Sequence, residues 1–201
     1  MSQAEGSAAR RIGLFGGSFD PVHNAHLALA RTAVTQLGLD ELRWVPTPHS
    51  WQKPEPPAPA ADREAMLRLA IAGEPRFVID RRELARGGPG YTLDTVREMQ
   101  AQTPGADWFL LLGQDQLQGL HTWHAWPDLL ARVTLAVAQR PGDAIEPHPD
   151  VQRAAQRRVA LLMMAVSSTE VRRRIAAGLP IDELVPPGVA RYIDQHHLYR
   201  R

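Results

Sequence analysis

The stretch Gly16-Gly17-Ser18-Phe19-Asp20-Pro21-Val22-His23-Asn24-Ala25-His26 gathers glycines, a hydroxyl, a carboxylate and two imidazoles. Adjacent glycines let a backbone approach a ligand closely, and the amides that open a helix carry the positive end of its dipole, so phosphate is the natural guest. A Walker loop would need Gly-Lys-Ser/Thr, and a dinucleotide fingerprint a third glycine; the stretch has neither. His23 and His26 are three residues apart, which on a first helical turn aims both rings at one point above such a site. Imidazole N–H groups there would stabilise charge building on a phosphoryl oxygen. A second cluster, Ser167-Ser168-Thr169 with Arg172, lies where a strand should pass into a helix. Its hydroxyls can cap the helix and bind phosphate oxygens, and Arg172, one turn in, can pair with them bidentately. His121 and His124 repeat the His-x-x-His spacing, and four imidazoles could in principle hold zinc. The two pairs follow different strands, no carboxylate shares their spacing, and His124 lies between Trp123 and Trp126, so no metal site is expected.

These groups need a frame. The apolar run Ile12 to Phe15, ending in glycines, reads as a buried strand, and Leu27, Ala30, Val34 and Leu37 form a helical stripe stopped by Gly38. The alternation continues with strands at Leu42 to Val45, Phe77 to Ile79, Trp108 to Leu112, Val133 to Ala138 and Val159 to Met163. Helices are predicted over Asp62 to Ala72, Leu93 to Gln102, around Leu129, and over Val171 to Ala177 and Val189 to Gln195. Strands separated by helices run parallel, through right-handed crossovers. The fold class is therefore α/β: a doubly wound, Rossmann-like parallel sheet with a small C-terminal helical portion. Ligands in such sheets bind beyond the carboxyl ends of the strands, which points to the loops after Phe15, Val45, Leu112 and Met163. Pro46 to Pro59 holds six of the 17 prolines and is expected to form an extended loop; Pro141 to Pro149 is expected to be a second, inert one. Residues 1–10 read as a disordered tail and 11–201 as one domain.

Composition narrows the functions available. The 201 residues are 44% apolar and 22% charged, with a net charge of +1. Neither nucleic acid nor an anionic membrane is favoured as a partner by that balance. The absence of cysteine excludes disulfide scaffolds, thiolate zinc sites and thiol nucleophiles, and sits well with a reducing cytoplasm. The N-terminal residues lack a signal peptide's apolar core, and the longest apolar run, Ala160 to Val166, is far below the roughly 20 residues of a membrane span. A soluble cytoplasmic protein is expected, with monomer and homodimer both open.

The first stretch resembles the Gly-x-Phe-Asp-Pro-x-His-x-Gly-His signature of the nucleotidyltransferase superfamily, with Ala25 in place of its usual glycine. Val166-Ser167-Ser168-Thr169-Glu170-Val171-Arg172 is similar to the second signature, Ile-Ser-Ser-Thr-x-Ile-Arg. Gly90-Tyr91-Thr92-Leu93-Asp94-Thr95, Leu112-Gly113-Gln114-Asp115 with Trp123, and the segments Leu184 to Ile193 and Leu198-Tyr199 resemble bacterial nicotinate mononucleotide adenylyltransferases. The likeness runs from Arg11 to Tyr199.

That resemblance implies transfer of AMP from ATP, with Mg2+ on the triphosphate, to nicotinate mononucleotide, giving nicotinate adenine dinucleotide and pyrophosphate. It implies catalytic roles for His23, His26, Lys53 and Arg172. ATP would be held by Gly16, Gly17, Ser18, Phe19, His23, His26, Gly113, Asp115, Ser168, Thr169 and Arg172. The mononucleotide would be held by Ser18, Phe19, Lys53, Tyr91, Thr92, Trp123 and His124. In the proline-rich loop the phosphate ligand could equally be His49. The acceptor's phosphate is ionised at neutral pH, so no general base and no covalent intermediate are needed. Replacing His26 by Ala is expected to slow turnover with little change in melting temperature. The alternatives are another acceptor, nicotinamide mononucleotide or phosphopantetheine, or a module that binds ATP without transferring it.

Overall fold

Parallel strands buried on both faces must be apolar along their whole length. The central strand β1 (Arg11–Gly17) and its neighbour β4 (Asp107–Leu112) meet that condition, with Ile12, Leu14, Phe15 and Phe109 to Leu112 all buried. The computed structural model describes residues 8–48, 58–139, 146–160 and 166–200. Around those two strands lie β2 (Glu41–Pro46), β3 (Phe77–Ile79), β5 (Thr134–Gln139) and β6 (Gln156–Ala160). The sheet order is β3-β2-β1-β4-β5-β6, and every pairing is parallel. The order reverses between β1 and β4, so the switch point opens above Gly17 and Gly113.

Helices cover both faces. They are α1 (Asn24–Gln36), α2 (Ala60–Ile71), α3 (Arg82–Arg86), α4 (Thr92–Gln102), α5 (Gln114–Gly119), α6 (Trp126–Leu130), α7 (Pro149–Arg153), α8 (Ser168–Ala176) and α9 (Pro187–Gln195), with a 3-10 turn at Leu120–Thr122. Phe15, Trp44, Leu67, Val171 and Val189 meet in the core on one face, where α1, α2, α8 and α9 pack. Leu14, Leu110, Val96, Leu129 and Leu135 form the core on the other, under α4 and α6. Trp44 and Trp108 lie in these cores.

Four differences from the sequence reading concern marginal elements. The last strand begins at Gln156, three residues before the apolar run Val159 to Met163, because β6 is an edge strand whose Arg157 and Arg158 face solvent. Leu161 to Met163 lie outside the described residues. The short helices α3 and α5 carry too few apolar positions to show a period. Pro149 opens α7, where the sequence suggested only the end of a loop; residues 140–145 of that loop lie outside the described residues. So do the candidates His49 and Lys53, with the rest of 49–57.

Candidate active site

At the end of β1 the chain turns through Phe19, a left-handed residue with φ of 45° and a buried ring. That ring packs edge-on against Phe15, at 5.5 Å between centroids, and against His26, at 5.3 Å. The two glycines before it differ in function. A Cβ on Gly17 would sit 3.1 Å from the Phe19 ring, so this glycine makes room for the turn itself. Among the described residues, a Cβ on Gly16 would meet nothing closer than Leu14, at 3.9 Å, which leaves space beside Gly16.

His23 is the extended N-cap of α1, and His26 stands at the third position of the helix. The backbone N–H of His23 donates to His26 Nδ1 at 3.2 Å, and the rings stack at 3.6 Å between centroids. A ring nitrogen that accepts carries no hydrogen, so the proton of His26 resides on Nε2, which becomes the donor. The amides of α1 are less available than their position suggests. Asn24 N–H donates to Leu184 O at 2.9 Å, while the N–H groups of His23 and His26 bond within the turn. On this side an anion would meet the imidazole and the helix dipole more than a row of free amides.

The second junction leans directly on the first. Ser168 Oγ donates to Pro21 O at 3.0 Å, and Arg172 Nη1 donates to Asp20 O at 2.8 Å. The three hydroxyls divide their work. Ser167 caps α8 by accepting from Glu170 N–H at 3.1 Å, Ser168 ties the helix to the loop, and Thr169 is exposed. The amides of Ser168 and Thr169, the Thr169 hydroxyl and the remaining guanidinium nitrogens of Arg172 have no partner among the described residues. One turn further, Arg173 and Arg174 both bind Glu170 and draw its carboxyl down to about 2, leaving Arg172 as the arginine directed to the junction.

Beneath both junctions lies a buried cluster that sequence reasoning missed. Arg63 of α2, 1% exposed, donates to four carbonyls: Ser18 at 2.6 Å, Thr47 at 2.8 Å, Ala58 at 2.9 Å and Pro48 at 3.1 Å. Burial pulls its guanidinium below the usual value, and the nearby Asp20 carboxylate opposes that pull. Asp20 accepts from Tyr199 OH at 2.7 Å and from Ala58 N–H at 3.1 Å. Burial and the same carboxylate hold the Tyr199 phenol well above its usual range, so it remains a donor. A signal was available for Arg63: it occupies the stripe with Met66, Leu67 and Ala70, where a charge facing the interior must have partners.

Across the switch point, Gly113 follows β4, and its N–H donates to Gln116 Oε1 at 3.0 Å; among the described residues a Cβ there would meet only that oxygen, at 3.8 Å. Asp115 is exposed on the first turn of α5. Thr92 opens α4, and the amides of Thr92 and Leu93 have no partner among the described residues. Tyr91 stacks on His124 at 4.2 Å between centroids, joining the head of α4 to the segment after the 3-10 turn. Trp123, half-buried beside that stack in sequence, packs against the second core, and its Nε1 is buried with no partner among the described residues. Two groups of candidates thus emerge, one around His26 and the head of α8, the other around the head of α4.

This combination of fold and junctions defines a class: a family model described as cytidylyltransferase-like matches residues 14–174. Within it, the chain is 51% identical to the probable nicotinate-nucleotide adenylyltransferase of Methylibium petroleiphilum, over 96% of this chain and 94% of that protein. It is 50% identical to the protein of the same name in Bordetella pertussis, over 94% and 98% of the two chains. The chain belongs to the nicotinate-nucleotide adenylyltransferase family of enzymes. Its fold is similar to that of Plasmodium falciparum nicotinic acid mononucleotide adenylyltransferase complexed with NaAD, with a TM-score of 0.76 at 18% identity, covering 94% of this chain and 97% of that one.

Proposed function

We propose that the chain, through one domain spanning 11–201, transfers the adenylyl group of ATP to nicotinate mononucleotide, releasing pyrophosphate, as a step of NAD biosynthesis in the cytoplasm. The observation that carries this reading is the contact between the two junctions, which brings the donors at the head of α8 to the loop that ends in His26. An oxygen of the acceptor's phosphate attacks the α-phosphorus of ATP, the α–β anhydride bond breaks, and its electrons leave with pyrophosphate. His26 Nε2–H donates to the α-phosphoryl oxygen as charge builds there. Arg172, Thr169 and the amides of Ser168 and Thr169 hold the departing β- and γ-phosphates. His23 supports this through its stack on His26, Gly16 leaves room for the nucleotide, and Lys53 of the proline-rich loop contributes charge. Gly113 and Asp115 receive the adenosine.

Magnesium enters as part of the triphosphate substrate. The junction groups are N–H and O–H donors, suited to anions, and Asp20, the buried carboxylate nearest them, is engaged by Tyr199 and Ala58. No described helix is long and apolar enough to cross a membrane. Nicotinate mononucleotide is read at the head of α4: amides without partners among the described residues and a helix dipole favour its carboxylate, whereas the NH2 of a nicotinamide would face donors with a donor. Trp123 and the Tyr91–His124 stack supply the surface for the pyridine ring.

ATP made chiral by sulfur at its α-phosphorus tests the direct attack. A single in-line displacement gives nicotinate adenine dinucleotide with inverted configuration; retention would mean two displacements and a covalent intermediate, and would overturn the mechanism.

A further inference from the structure

Glu83 of α3 is a carboxylic acid, 4% exposed, directly beneath the turn that leads into α4. Its Oε1 accepts from Thr95 Oγ1 at 2.8 Å, and its Oε2 is buried with no partner among the described residues. That second oxygen lies against the turn: a Cβ on Gly90 would sit 2.8 Å from Oε2, and 3.7 Å from Pro48 on its other side. Gly90 is therefore a glycine because a buried carboxyl occupies the space its side chain would take.

Among the described residues, the cations around Glu83 are engaged with other carboxylates. Arg86, on its own helix, pairs with Glu98 of α4 at 2.9 Å, and Asp80, before α3, pairs with Arg82 at 2.7 Å. Burial, with added push from Asp80 and Glu98, raises the Glu83 carboxyl from 4.5 to about 7, against the opposing effects of Thr95 and Arg86. An anionic molecule docking on the amides of Thr92 and Leu93 would add a further negative charge above it, which favours the neutral acid.

We propose that Glu83 is a positioning residue for the acceptor: as a neutral acid it supports the Gly90-Tyr91-Thr92 turn, and it takes up a proton when an anionic acceptor binds at the head of α4. The proposal rests on the reading of that helix start as the acceptor's site. It assigns Glu83 to acceptor binding, with no part in adenylyl transfer itself.

The test is the pH dependence of both apparent KM values, in the whole enzyme and in Glu83→Gln, which keeps an oxygen for Thr95 but cannot ionise. Where only the neutral acid is competent, the wild-type KM for nicotinate mononucleotide rises about tenfold from about pH 6.5 to about pH 8, while the KM for ATP does not follow it. Glu83→Gln shows no such rise; the acceptor phosphate's own ionisation near pH ~6 is common to both proteins and cancels. Calorimetry of nicotinate mononucleotide binding in buffers of different ionisation enthalpy shows proton uptake by the wild type and none by the variant. Should Glu83→Gln not fold, Thr95→Val serves, since loss of the donated bond moves the wild-type midpoint upward. A wild type that uses nicotinate mononucleotide with a pH-independent KM and no proton uptake, or a Glu83→Gln enzyme with the wild-type profile, overturns the proposal and leaves the function standing. Failure to use nicotinate mononucleotide at any pH overturns both.

Discussion

At the scale of single residues, His26 does two things at once. In the proposed mechanism it offers Nε2–H to the reacting phosphate, since its Nδ1 accepts from the His23 backbone, and its ring fills space between Phe15 and Phe19. His26→Ala therefore also removes a helix cap, worth about 1 kcal/mol, so its melting temperature falls where the spacing alone predicts little change. His26→Gln separates the two roles, since glutamine at the third helical position can still accept from the N-cap amide. It should keep the melting temperature within a few degrees while lowering kcat by about 10²–10³-fold, checked by thermal denaturation and steady-state kinetics. Glu83 makes a second prediction through stability. Its carboxyl stands at about 7 in the folded protein and 4.5 when exposed, so the folded state binds the proton more tightly. The favourable contribution is complete below about pH 4.5 and disappears as pH rises through about 7, a change of about 3 kcal/mol. Glu83→Gln should accordingly gain on the wild type in melting temperature as pH rises from about 5 to about 8. A constant difference would show that Glu83 does not titrate in that range.

At the scale of elements, the junctions are rigid because Arg63 holds four carbonyls from three segments of chain with one guanidinium. Arg63→Lys keeps the charge but cannot span them. Leaving buried carbonyls unpaired should cost about 3 kcal/mol, seen in urea denaturation, and should raise the KM for ATP as the loop behind Ser18 loosens. The limits of what could be read from the chain alone follow the same lines. Strands β1 to β5 and the long helices α1, α2 and α4 were legible because their apolar residues repeat at a fixed period against a core. The start of the edge strand β6 was not legible, because the exposed arginines there hide it from any search for apolar runs. Both junction motifs stood out as local clusters of chemistry. Arg63, Asp20 and Tyr199 work as a unit only once α2, the first loop and the C-terminal residues meet, a contact spanning nearly the whole chain that no local pattern reports.

At the scale of the whole molecule, the doubly wound sheet sets two groups of candidate residues on either side of its switch point, and the C-terminal segment returns to brace one of them. Tyr199 binds Asp20, Tyr192 OH donates to Asp62 at 2.8 Å, and Asn24 Nδ2 donates to Glu183 O at 2.9 Å. The C-terminal portion therefore braces the loop after β1 and the start of α1 as well as the core under α9. Overall charge contributes little to this arrangement: at a net +1, the attraction for two anionic substrates comes from local donors and helix starts. The function at stake is adenylyl transfer with an acid-reading acceptor site. Pyrophosphate release from MgATP, measured with nicotinate mononucleotide, nicotinamide mononucleotide and phosphopantetheine side by side and with product masses determined, tests it most directly. The expected result is rapid release with the nicotinate form, a product of the mass of nicotinate adenine dinucleotide, and far slower turnover of the amide. Equal or faster turnover of nicotinamide mononucleotide or phosphopantetheine, or no release with any of the three, would contradict it.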